Sequence, residues 1–184
     1  MGAGAARVGK VVGDFDGLPR RVRSIGDVDF AELRRAAGVG GVWDEAEELV
    51  ARRGVSSGVV GLVHGDLWQG NAMWVGGALS GFVDWDAAGV GDPGIDLGSL
   101  RCDAEMLYGA GAAGFVLEGW EREAGVEARD VAYWDVVAAL CTPPDLGMWL
   151  PNMHEQGRED LDVGTMERRR DAFLVAALRA AERG

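Results

Sequence analysis

His64, Gly65 and Asp66 end an apolar run, Asn71 stands five residues beyond Asp66, and Asp84 opens an Asp84-Trp85-Asp86 triplet further on. An aspartate beside an acceptor hydroxyl can position it and take its proton as it attacks a phosphorus centre. An amide oxygen with one or two carboxylates can hold Mg²⁺, a hard ion that prefers oxygen donors and bridges substrate phosphates. Asp66 supplies the base candidate, Asn71 the amide and Asp84 the carboxylate. Each pair alone is weak; the ordered set is specific.

The elements around these residues must bring them together. Val59 to Val63 is β-branched and apolar, which predicts a strand leading into the His-Gly-Asp turn. Ala72–Val75 and Ala78–Trp85 flank Gly76-Gly77, a hairpin signal. Antiparallel strands would return Asp84 to the neighbourhood of Asn71. Helices are predicted on either side of this centre. Upstream, one runs from a cap at Asp27 or Asp29 to Ala37, with Phe30 and Leu33 inward, and one from Trp43 to Arg53. Downstream they span Ile95–Tyr108, Phe115–Glu123 (with Phe115, Leu117 and Trp120 apolar), Ala128–Leu140 and Glu167–Glu182, with Pro143-Pro144 as a break. The expected class is α+β and mostly α, with a short β-hairpin carrying the metal site. Residues 1–26 read as an irregular lead-in and residues 27–184 as a helical lobe.

Composition narrows the possibilities. The chain of 184 residues is long enough for a real core, and 48% apolar against 26% charged residues is a globular balance. Its 18 basic and 30 acidic residues leave a formal charge of −12, which argues against a nucleic-acid surface and permits a cationic small-molecule partner. No apolar run reaches the length of a membrane span, and MGAGAARVGK lacks the apolar centre of a secretory signal. Cys102 and Cys141 sit apart in apolar surroundings, as buried thiols do, and a cytoplasmic, reducing setting is expected. Gly4 to Lys10 has the spacing of half a phosphate-binding loop, but Val11 stands where Ser or Thr is required, so a glycine-rich terminus is the better reading.

HGDLWQGN, GFVDWD and GDPGIDLG together resemble the aminoglycoside phosphotransferase (choline kinase-like) family of kinase-like enzymes. The resemblance implies a protein-kinase-like C-terminal lobe and ATP-dependent transfer of a phosphoryl group to a small-molecule hydroxyl. It implies that Asp66 is the catalytic base and that Asn71 and Asp84 ligate Mg²⁺ and so bind ATP. It further implies that His64 and Asp96 support the catalytic loop, with Asp92-Pro93 shaping the start of the following helix. Family members also carry an N-terminal lobe with a phosphate-contacting lysine. Only 65 residues precede Asp66 and Lys10 is the single lysine, so that lobe is expected to be absent or truncated. A non-catalytic remnant and a fructosamine-kinase-like enzyme, which shares HGDLWxGN, are the alternatives. Trp68 and Trp85 are expected to pack, Glu155, Glu159, Asp160 and Asp162 to form a solvated loop, and His154 to be a satisfied or surface residue.

Overall fold

The computed structural model describes residues 17–25, 28–54 and 59–183. The Gly4–Lys10 stretch, the Asp27 cap and most of the 1–26 lead-in lie outside them. The architecture is mixed α/β and mostly helical, with two small antiparallel sheets. Helices α1 (Phe30–Ala36) and α2 (Val42–Arg53) precede β1 (Gly61–Val63), a 3₁₀ turn (Gln69–Asn71), β2 (Ala72–Val75), β3 (Ala78–Phe82) and β4 (Gly89–Gly91). Then come α3 (Gly94–Tyr108), α4 (Ala112–Ala124), α5 (Val131–Leu140), α6 (Leu150–Glu155) and α7 (Val163–Ala181).

Helix starts follow local chemistry. Asp29 accepts the Glu32 amide at 2.9 Å at the head of α1, and Asp162 accepts the Thr165 amide at 2.7 Å at the head of α7. The inward side of α1 departs from expectation. Leu33 is 45% exposed, while Arg34 is buried beside Phe30. Arg34 donates to the carbonyls of Leu140 and Thr142 where α5 ends, and its guanidinium lies 5.0 Å from the Trp43 ring centre. Those carbonyls have no helical partner at a helix end, and the arginine satisfies them. Phe115 likewise proves 76% exposed, because α4 turns Ala113 and Val116 inward instead.

α3 is the central helix, packed against α4, α5 and α7. Its contact with α5 is close. A Cβ on Gly94 would lie 2.1 Å from the Trp134 ring, and one on Gly98 would lie 2.4 Å from the Trp134 carbonyl oxygen. Arg101 of α3 binds both carboxylate oxygens of Asp135 on α5 at 2.8 Å and donates to the Ala113 carbonyl, joining three helices. Both cysteines are buried and free, with burial pushing Cys141 up to about 11. No helix among the described residues is long and apolar enough to cross a membrane.

β1 pairs antiparallel with β4, and β2 with β3. Arg20 forms a parallel bridge to Val90, extending the first sheet by part of the lead-in. β1 starts at Gly61, since Val59 and Val60 are half exposed. The hairpin turns at Gly76-Gly77 as the sequence indicates, with a register shift at Met73/Trp74. Its second strand ends at Phe82 rather than reaching Trp85. Asp84 has φ 62°, in the left-handed region, which cannot continue a strand. Asp84 therefore sits on the loop beyond the hairpin and not on the hairpin itself.

Candidate active site

The turn after β1 is held from below by α3. Asp96 is buried, and its two carboxylate oxygens accept the amides of His64 at 2.7 Å and Gly65 at 2.9 Å. Burial raises the Asp96 acid above the usual carboxylate range, against the pull of those two hydrogen bonds. Gly65 has φ +79°, and a Cβ there would lie 2.1 Å from the Ala87 carbonyl oxygen, so this turn requires glycine. The Gly65 carbonyl accepts the Ile25 amide at 2.9 Å, which ties the N-terminal segment to the same turn.

His64 joins the turn to the loop carrying Asp84. Its Nε2 lies 2.9 Å from the Val83 carbonyl oxygen and must carry the proton to donate there. The ring packs against Trp85, with centres 4.5 Å apart, and Trp85 donates to the Phe82 carbonyl. Trp85 is thus a packing residue of this loop. Asp92 accepts the Gly94 amide at 2.8 Å and shapes the first turn of α3.

Asp66, Asn71 and Asp84 line one cavity of about 300 Å³. The buried Asn71 amide donates to the Asp66 carbonyl at 2.9 Å, and its backbone carbonyl accepts the Val83 amide at 2.9 Å. The first bond commits Nδ2 and leaves Oδ1 as the side chain's acceptor. An amide oxygen and a carboxylate are hard donors, so the residues present fit Mg²⁺, with water and phosphate oxygens completing its shell. No cluster of three His, Cys, Asp or Glu residues suited to a metal occurs among the described residues. Burial, followed by the charge of Asp84, raises the Asp66 acid, while His64 and the Asn71 amide oppose the shift.

Sequence reasoning missed Asp103. It stands on α3 two helical turns beyond Asp96 and lines the same cavity. Burial, with the charge of Asp66 adding, pushes its acid up to about 8. The available signal was an acid inside a helix otherwise read as buried. Trp68 also faces the cavity while packing against the main core. His154 is satisfied, its Nε2 lying 3.0 Å from the Leu161 carbonyl oxygen. Asp160 pairs with Arg158 and Asp162 caps α7, so neither points at the cavity chemistry.

Comparison with known proteins gives two findings. The family model described as "Phosphotransferase enzyme family" matches residues 14–140, more than half of the chain. Viomycin phosphotransferase of Streptomyces vinaceus is 43% identical over 65 residues, covering 32% of this chain and 21% of that protein.

Proposed function

This chain belongs to the phosphotransferase enzyme family, the aminoglycoside phosphotransferase group its motifs resemble, and we propose that it transfers the γ-phosphoryl group of ATP to a hydroxyl of a small molecule. One observation carries the reading: Asp66, Asn71 and Asp84 share a single cavity, with the Asn71 side chain bonded to the Asp66 backbone.

Asp66 positions the acceptor hydroxyl and takes its proton as the oxygen attacks phosphorus. Its partial burial and raised acid suit a group that must accept a proton near neutrality. Asn71 Oδ1 and the Asp84 carboxylate would hold Mg²⁺, which neutralises charge on the transferring phosphates. His64 and Asp96 do no proton chemistry in this scheme. They fix the turn, so that Asp66 presents a fixed geometry to the hydroxyl, and catalysis is mostly positioning and charge stabilisation. The viomycin phosphotransferase match makes viomycin a reasonable first acceptor to try.

The test is calorimetry of ATP with and without Mg²⁺ on the chain, with Asp84→Ala as control. Binding that needs Mg²⁺ and disappears in the variant is expected. Absence of Mg²⁺-dependent binding by the wild type would overturn the reading for this chain. A turnover screen over viomycin, aminoglycosides, sugar alcohols and glycated amines then identifies the acceptor.

A further inference from the structure

A second cleft, of about 490 Å³, lies where the segment from Pro19 to Arg23 meets α2 and α5. It shares Cys141 with the catalytic cavity, but Asp66, Asn71 and Asp84 do not line it. Three arginines do, Arg20, Arg21 and Arg23, against one carboxylate, Glu47, which the buried Arg34 already engages. In a chain with a formal charge of −12, this local excess of positive charge runs against the whole.

The arginines are carried on a firmly seated segment. The Arg21 amide donates to the Val90 carbonyl at 2.8 Å, and the Val90 amide donates to the Pro19 carbonyl at 2.8 Å. A Cβ on Gly89 would lie 2.4 Å from the Pro19 carbonyl oxygen and 2.5 Å from Arg21 Cγ, so β4 is bare where the segment rests. Tyr133 also lines the cleft. It is only 3% exposed, yet its hydroxyl has no hydrogen-bond partner among the described residues. Buried hydroxyls are almost always bonded. Burial raises the Tyr133 acid, so the group keeps its proton and can donate. Val50, Val137 and Leu140 supply an apolar wall. A cationic ligand would meet like charge here, and a neutral one would leave the guanidiniums unused. An oxyanion on an apolar stem satisfies the arginines, the hydroxyl and the wall together.

We propose that this cleft binds a phosphate monoester carried on a small apolar or aromatic group, with Arg20 and Arg23 on the phosphate oxygens and the Tyr133 hydroxyl donating to one of them. A guanidinium matches phosphate oxygens with paired N–H donors, and a dianion draws on more than one arginine where a carboxylate would draw on one. The site stands apart from the phosphotransferase reading, since it uses none of the residues placed in transfer. Its position is that of an effector site. The segment bearing the arginines runs on to Ile25, whose amide donates to the Gly65 carbonyl at 2.9 Å, so a ligand here bears on the catalytic turn without reaching Asp66.

The experiment is equilibrium binding of three probes to the full chain at low salt, without ATP or divalent metal: phenyl phosphate, benzoate and phenol. Wild type is expected to bind phenyl phosphate at least about tenfold more tightly than benzoate, and phenol more weakly than either. Replacing both arginines, Arg20→Ala with Arg23→Ala, should weaken phenyl phosphate about tenfold. Tyr133→Phe should weaken it about fivefold with no loss of melting temperature, because it removes a buried hydroxyl that lacks a partner. Arg52→Ala, exposed on α2 and outside the cleft, should change nothing. Tyr133→Phe decides the matter should the double arginine variant fail to fold by circular dichroism. Three results overturn the proposal: no phenyl phosphate binding at tens of millimolar, benzoate bound as tightly as phenyl phosphate, or an affinity unchanged in either variant. None of them touches Mg²⁺-dependent ATP binding, so failure here and failure of the phosphotransferase reading are separately visible.

Discussion

Asp96 and His64 stand 32 residues apart and are joined by a 2.7 Å hydrogen bond from the histidine amide to the aspartate carboxylate. The second oxygen takes Gly65, so one side chain holds two successive amides of the turn before Asp66. Asp96→Ala should strand both donors, at about 1–3 kcal/mol each. Asp96→Asn keeps one acceptor and should lose less. Urea unfolding of the two variants tests the order; equal stability to wild type in Asp96→Ala would remove Asp96 from its supporting role.

Asp66→Asn should reduce transfer by about 10²–10⁴-fold while leaving the melting temperature close to wild type. Since burial raises the Asp66 acid, the acid limb of kcat/KM should lie above that of an ordinary carboxylate and vanish in the variant. A limb at the unperturbed position would contradict the assignment of the base.

Asp84 adopts φ 62°, a conformation that Asn and Gly accept more readily than Ala. Asp84→Asn, Asp84→Gly and Asp84→Ala should all weaken Mg²⁺-dependent ATP binding. Thermal unfolding should separate them, with Ala the least stable. If Ala proved the most stable, left-handed strain at this position would be refuted.

Asp103 sets a pH dependence of stability. Its acid in the folded chain is raised to about 8 from an ordinary value of 3.8. Between those values the folded chain keeps a proton that the unfolded chain has released. Raising the pH through this window therefore favours unfolding. Wild type should lose stability between pH 5 and pH 8.5 relative to Asp103→Asn, as read from urea midpoints. Parallel curves would show that the carboxyl is not perturbed.

Much of this arrangement is legible in the sequence because it is local. The Gly-Gly turn, the apolar strand into His64 and the inward Leu97, Leu100 and Leu107 of α3 follow from short-range pattern. What escaped depends on partners distant in sequence. Arg34 displaces Leu33 from the inward side of α1 only because unpaired carbonyls at Leu140 and Thr142 lie there. Asp103 looks like any helical acid until Asp66 is placed across the same cavity. The strand ends at Phe82 because of a backbone angle at Asp84 that residue type permits without demanding.

The close seating of Gly94 and Gly98 on Trp134 bears on how variants of this protein should be interpreted. α3 carries Asp96 and Asp103 on the side opposite that seat. Any side chain added at either glycine would shove the helix as a rigid lever, and both aspartates would move with it. A library scored by turnover alone would then rank Gly94, Gly98 and Trp134 among the most sensitive positions. That ranking would map the mounting of the helix, and sensitivity would be a poor guide to which residues touch the substrate.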